Sequence, residues 1–401
     1  MRDAAVRSHS PFNVLVLFLA LHYIGYMEQM LEESGVEFDV EPGGAMSVAA
    51  ERRRGRSAVS NEAGRFEAER RHLFDDGWGT LEELPPFKTT VQVEKPKRII
   101  TRNTSPDIAF DRSINPYRGC EHGCAYCFAR PTHAYMGLSA GLDFESQLFV
   151  KPNAARLLER ELAAPGYQAK TIAIGTNTDP YQPIEKRYRI MREILEVLDR
   201  ANHPVAIVTK SALVCRDIDI LSGMAERGLA KVALSVTTLD GRLARRMEPR
   251  VASPMRRLEA IRQLKEAGIP AAVMVAPIIP GLNDDEIEAI LDAAALAGAS
   301  EAGYIMLRLP LEVADIFKEW LLENYPDRYR RVMSTIRSMR EGKDNDATFG
   351  RRMRGSGPYA WMIGRRFEVA AKRLGLTGRR LKLRTDLFSP PAPDGVQLAL
   401  F

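Results

Sequence analysis

The chain has 401 residues, enough for one large catalytic domain with extensions. Its 45% hydrophobic and 27% charged residues are ordinary for a soluble globular protein, which excludes a disordered or fibrous chain. A net charge of +5 is weak support for a nucleic-acid partner. Four cysteines fit a reducing cytoplasm rather than a secreted disulfide scaffold.

The first apolar run, Val14 to Met27 with His22 inside it, follows Arg2 and Arg7 and imitates a signal peptide. It lacks a small-x-small cleavage site and is short for a membrane span, which needs about 20 apolar residues. The favoured reading is that translation begins at Met46 and that 1–45 is an overextended start. The other is a short core or amphipathic helix; no membrane partner is expected. Residues 46–72 are polar and basic (Glu51-Arg-Arg-Arg-Gly-Arg56) and read as an extended or disordered arm, either solvated or touching nucleic acid. The proline-bearing stretch 73–110 is expected to wrap the core.

From about residue 111, apolar strands alternate with amphipathic helices, and no fixed-period repeat is visible. The first strand, Ser113–Tyr117, should lead straight into Cys120-Glu-His-Gly-Cys124-Ala-Tyr-Cys127. Further strands are expected at Thr171–Gly175, Val205–Thr209, Val232–Val236, Ala271–Ala276 and Tyr304–Arg308. Ile190, Met191, Ile194, Leu195 and Leu198 recur at helical spacing. Ser253 and Pro254 open a helix with Leu258, Ile261 and Leu264 on one face, closed by Gly268 and Pro270. Asn283 to Glu286 opens the next, with acids at its positive end. Six β/α units in order predict a parallel sheet curled toward a partial barrel, with ligands at the carboxyl ends of the strands.

Three of the four cysteines lie in that one loop. Three thiolates are one short of a closed four-ligand metal site. They match a 4Fe-4S cluster with one iron left open, and Gly119 and Gly123 give permissive backbone beside the first two. The competing readings are a zinc site completed by His122 or His133, unconnected core cysteines, and a noncatalytic cluster. Cys215, in an apolar run, reads as a core residue. Three strand-end stretches are further site candidates: Gly175–Glu185, dense in hydroxyls and carboxylates; Thr209–Ser211; and Ser235 with Thr237 and Thr238. Their plain alternatives are capped turns, a solvated lysine and core packing.

The Cys-x3-Cys-x2-Cys loop, with Tyr126 before its last cysteine, resembles that of the radical S-adenosylmethionine (SAM) enzymes. Gly175–Glu185, Thr209–Ser211 and Met247-Glu-Pro-Arg250 are similar to the spore photoproduct lyase-related branch, over roughly residues 105–310. The resemblance implies a partial (β/α)6 TIM-like barrel with Cys120, Cys124 and Cys127 on the cluster. SAM would bind the open iron through its amino and carboxylate groups. One electron from the cluster would then release a 5′-deoxyadenosyl radical that abstracts hydrogen. It points to Thr178 and Lys210, then Ser235, as SAM contacts, with Thr176 and Asp179 beside them. It also implies an electron donor such as flavodoxin or ferredoxin. One departure matters: the lyase has a cysteine hydrogen donor near the end of its second strand, where this chain has Thr176-Asn-Thr-Asp179.

From Asp327 to Arg384 there are 17 Lys/Arg against 5 Asp/Glu. This basic, mainly helical extension includes Arg351-Arg-Met-Arg-Gly-Ser-Gly-Pro-Tyr359, which would suit a polyphosphate backbone or simply form a charged helical face. After a Pro-rich linker the chain ends Gln397-Leu-Ala-Leu-Phe401. That peptide is similar to those with which bacterial repair and replication proteins dock on the DNA sliding clamp; folding back onto the core is the alternative. The expected organisation is a doubtful leader 1–45, an arm and wrapping segment 46–105, a radical SAM core 106–310, a basic subdomain 311–388 and a tail 389–401. The expected function is radical chemistry in the cytoplasm, on DNA in a repair-like role, with a protein or small molecule as the competing substrate.

Overall fold

Short β-branched runs separated by amphipathic helices cannot bury both faces alone, and here they stack side by side. The computed structural model describes residues 47–67, 85–377 and 381–391. In chain order its strands are β1 (Thr90–Val93), β2 (Ile100–Arg102), β3 (Arg112–Ile114), β4 (Tyr117–Arg118), β5 (Gln147–Val150), β6 (Ile172–Ile174), β7 (Val205–Thr209), β8 (Ala230–Ser235), β9 (Ala271–Ile278) and β10 (Glu301–Met306). The main sheet runs β10-β9-β8-β7-β6-β3-β2. All neighbours from β3 to β10 are parallel, and β2 joins antiparallel to β3 at the edge. The six expected strands therefore stand in sequential order, as a partial barrel requires.

Buried residues of β7, β8 and β9 alternate with half-buried ones. The buried set packs against α1 (Ala154–Leu162), α2 (Ile190–Arg200), α3 (Ile218–Glu226), α4 (Pro254–Glu266) and α5 (Ile287–Leu296) in one continuous core. The half-buried set, including Ala206, Val208, Ala233 and Met274, lines the concave side. Three further helices, α6 (Val313–Asn324), α7 (Tyr329–Ser338) and α8 (Gly357–Arg373), make the C-terminal region mainly helical. No helix among the described residues is long and apolar enough to cross a membrane.

Two expectations change. The first strand does not run unbroken into the cysteine loop. Pro116 offers no N–H and restricts Asn115, so the ladder stops at Ile114. Tyr117–Arg118 instead pairs antiparallel with β5, in a second sheet ordered β1-β5-β4. The basic arm, where described, is packed rather than free. Arg53 pairs with Glu323, Arg65 with Glu312, and Arg56 donates to the Glu145 carbonyl. The leader and the tail peptide Gln397–Phe401 lie outside the described residues.

The basic motif of the C-terminal region closes the open sheet. Met306 N–H on β10 donates to Met353 O at 2.9 Å. Arg352 grips Asp107, in the β2–β3 connection, through two bonds of 2.8 and 2.6 Å. One short segment thus links edge strand β10 to the β2–β3 connection at the other side of an otherwise unclosed sheet. Arg351 pairs with Glu341 and Asp346, Arg354 lies on the Tyr304 ring, and Tyr359 bonds Asp284. The stretch read as a polyphosphate site is spent on internal contacts.

The last described segment runs back across the barrel. Ser389 N–H donates to Ala201 O, and Phe388 packs on Tyr167 and His203. His203 is fully buried. Its Nδ1 lies 3.1 Å from Pro204 O, which can only accept, so Nε2 is the lone pair that takes the Tyr167 hydroxyl at 2.9 Å. Burial pushes this imidazole down from 6.5 to about 4. As pH falls through that interval the unfolded chain takes up the proton first, so stability is lost on acidification and is fully present above 6.5. The expected slope is at most about 1.4 kcal/mol per pH unit for this group. Denaturant unfolding at several pH values should show a shallower acid limb for His203→Gln than for the wild type.

Candidate active site

The cysteine loop sits at the carboxyl ends of the parallel strands, and its backbone conformation is set by glycine. Gly119 and Gly123 have φ of +71° and +60°. A Cβ on Gly123 would come within 2.6 Å of Glu145 Oε2, and one on Gly119 within 2.7 Å of Leu148 Cδ2. Cys120 and Cys124 are buried and Cys127 is half-buried; all are free thiols.

Every wall of the loop is answered by a polar partner. Arg130 donates to Cys124 O from Nε and Nη2 at 3.0 and 2.9 Å, to the carbonyls of Ala140 and Gly141, and to Glu145 at 2.5 Å. The other Glu145 bonds come from Ser57 and Ala58 of the arm. Gln182 accepts from Glu121 N–H and donates to Gly119 O. Arg250 pairs with Glu121 at 2.9 Å, and Ala125 N–H donates to Met247 O at 3.0 Å. Between these two, Glu248 accepts from Tyr126 OH, Thr237 Oγ1 and Arg257. Met247–Arg250 is therefore a clasp on the cysteine loop.

Asp179 ties two strand ends to the same loop. Its carboxylate accepts from Thr209 Oγ1 at 2.6 Å, Lys210 N–H at 2.8 Å and Tyr181 N–H at 2.9 Å, with His122 Nδ1 at 3.4 Å. Burial alone would raise its pKa, but His122 and these donors hold it near 2. The Cys120 thiol pKa is raised by burial and by the charges of Asp179 and the other two cysteines. Lys210 Nζ stands 5.6 Å above the Tyr126 ring. Burial lowers its pKa, but Cys124, Glu248 and Asp179 outweigh this and keep it charged.

The residues read as SAM contacts divide into two groups. Lys210, Thr176 and Ser235 lie at strand ends around the loop. Thr178 is buried and donates to Tyr117 O at 2.9 Å, and both Asp179 oxygens are used within the protein. Those two side chains build the site rather than point from it. Thr237 and Thr238 are likewise engaged, the latter with Glu286. Of the histidines considered as zinc ligands, His122 faces Asp179, and His133 is held through Nε2 by Gln147 O at 2.9 Å while its buried Nδ1 has no partner among the described residues. Among the described residues no three His, Cys, Asp or Glu side chains stand at single-ion spacing. A cubane spreads its thiolates over separate iron corners, so three cysteines on one curved loop suit a cluster better than one ion. Cys215 faces Ala260 O at 3.9 Å, packed against the core as expected.

Sequence reading missed Arg130, Glu145 and Arg257; Gln182 and Glu248 fell inside the stretches Gly175–Glu185 and Met247–Arg250 but received no role of their own. A signal existed for Arg257: it falls on the apolar face of α4, in step with Ile261 and Leu264, and only 1% of it is exposed. An arginine at such a position needs a buried acid, here Glu248.

The model of the radical SAM superfamily matches residues 114–294, from β3 to α5. An uncharacterized protein of Mycobacterium tuberculosis is 38% identical over 230 residues, 56% of this chain and 68% of the relative. One of Methanocaldococcus jannaschii is 30% identical over 222 residues, 55% of this chain and 78% of the relative. The chain belongs to the radical SAM superfamily. Its cofactors are accordingly a 4Fe-4S cluster and SAM. The fold is also that of spore photoproduct lyase complexed with dinucleoside spore photoproduct: TM-score 0.51, 16% identity, 71% of this chain and 78% of the lyase.

The buried Glu248–Arg257 pair gives a direct test. Glu248→Gln leaves Arg257 charged and unpaired in the core and should cost about 3–5 kcal/mol in denaturant unfolding. The double variant Glu248→Gln/Arg257→Met should recover much of that loss.

Proposed function

We propose that this chain is a radical SAM enzyme that abstracts hydrogen from nucleic acid, with Cys120, Cys124 and Cys127 as the cluster ligands. The observation behind the assignment is the loop itself. Three thiols from eight consecutive residues stand at the strand ends, while the backbone around them is fixed by Arg130, Gln182 and the Met247–Arg250 clasp. Such a donor set fits an iron cube with one corner left for a small ligand. When bound, cluster and SAM together supply a 5′-deoxyadenosyl radical that takes hydrogen from an unactivated carbon.

The protein's share is binding and exclusion. Lys210, charged at the end of β7 beside Cys124, suits the SAM carboxylate. Thr176, just past β6, and Ser235, at the end of β8, flank it, while Asp179 and Thr178 tie the segment after β6 to the end of β7 and to β4. Small side chains on the concave face, Ala206 and Ala233 among them, leave room for a ligand in the barrel. A base would have to leave its stack to reach this depth.

Nucleic acid is favoured over a protein or small molecule by the fold shared with a lyase complexed with a dinucleoside photoproduct. The reaction differs from the lyase's: Thr176–Asp179 offers no thiol, and Cys215 faces α4. The electron would come from a flavodoxin or ferredoxin in the cytoplasm.

Anaerobic reconstitution with dithionite and SAM should yield 5′-deoxyadenosine, and Cys124→Ala should abolish it. No product from a fully loaded protein that also fails to bind SAM would move the chain to redox sensing; no product from one that does bind SAM points to a missing substrate trigger. The tail is a second element of this reading, with Gln397 to Phe401 docking on the DNA sliding clamp. Deleting these five residues should abolish binding to purified clamp; equal binding without them excludes the tail as the contact.

A further inference from the structure

Arginines that leave water in this fold find oxygen. Arg130 and Arg257 each meet backbone carbonyls and a carboxylate. Arg340 donates to the carbonyls of Leu307, Arg351 and Arg352. Arg308 does not follow the pattern. Its Nε is buried without a partner, and its Nη1 reaches only the Met353 sulfur at 3.7 Å. Thioether sulfur is a weak acceptor, so most of a five-donor fork is unanswered among the described residues. Arg56 and Arg340 also leave Nε unmatched, but their terminal nitrogens bond oxygen.

The position is as informative as the missing partner. Arg308 follows the end of β10, and its guanidinium lies 5.5 Å from the centre of the Phe128 ring. Phe128 directly follows Cys127 and is 48% exposed. Among the described residues the charges that act on it most are Arg352 and Arg340, and the acid that opposes them, Asp107, is gripped by Arg352. Spare donors in a positive field, beside an exposed aromatic face, match what a nucleotide offers: phosphate for the fork and a base for the ring.

We infer that Arg308 binds an anionic oxygen group of the substrate, a phosphate of the nucleic-acid chain, at the β10 end of the barrel mouth. The inference rests on the nucleic-acid reading above. Lys210 lies three strands away in the sheet, at the end of β7. The two cations therefore serve different ligands, Lys210 the cofactor and Arg308 the substrate.

The test uses reconstituted full-length protein, with a labelled oligothymidylate followed by fluorescence anisotropy from about 50 to 200 mM salt. SAM is titrated calorimetrically in parallel. Arg308→Gln should bind the oligonucleotide roughly ten-fold more weakly, and the log–log salt slope should fall by about one. SAM affinity should stay within about two-fold, since a residue serving only the substrate adds nothing to cofactor binding. Arg308→Lys keeps the charge but not the fork and should recover part of the loss. Wild-type affinity and slope in Arg308→Gln would overturn the assignment. So would a loss of SAM binding in its place. If the wild type binds no oligonucleotide, the nucleic-acid reading falls by itself. Phenylglyoxal labelling of Arg308 with and without inorganic pyrophosphate then decides: protection keeps an oxyanion site there, and equal labelling removes it.

Discussion

A loop that buries its own backbone must find protein partners for every polar group that water no longer reaches. That constraint organises the molecule around Gly119–Cys127. Arg130 takes the Cys124 carbonyl and is held by Glu145, which in turn draws Ser57 and Ala58 of the N-terminal arm into the interior. Glu248, Arg257 and Tyr126 form the opposing wall, and Asp179 with His122 a third. Single buried charges would be costly here, and each is matched by an opposite charge or a hydrogen-bond donor. The result is a seat in which the backbone around the three thiols is fixed from every side by protein partners.

The same rule explains how the basic residues are used. A positive stretch in a sequence suggests an anionic partner, yet several of these cations are tied to acids of the barrel. Arg352 with Asp107, Arg366 with Glu288 and Arg373 with Asp292 tie the C-terminal helices to the core. The ties to Asp107 and to β10 also bridge the gap that the open seven-stranded sheet leaves. Surface pairs of this kind add little each, but those made by Arg352 and Arg366 are partly shielded and two-pronged. A run of charge is thus a poor guide to an interface. A single arginine without an oxygen partner is a better one, and it becomes visible only in three dimensions.

Much was legible in the chain itself. Six apolar runs at regular intervals dictated the parallel sheet, because β-branched strands and amphipathic helices in alternation have few other ways to cover both faces. The cysteine spacing named the cofactor, because local spacing limits which ligand sets one loop can present. Positive-φ glycines at positions 119 and 123 followed from the same local logic. The break at Pro116 was also local, but the strand reading ran through it.

What the sequence could not determine are the pairings across long separations. Glu145 and Ser57 lie 88 residues apart, Asp107 and Arg352 245. Nothing in either neighbourhood announces the other. For the same reason Asp179 and Thr178 looked like ligand contacts when their oxygens belong to the frame, and Arg308 looked like the unremarked end of a strand. Periodicity and spacing act over a few residues and so are written in the chain; charge compensation acts through space, and only the folded sheet decides which residues meet.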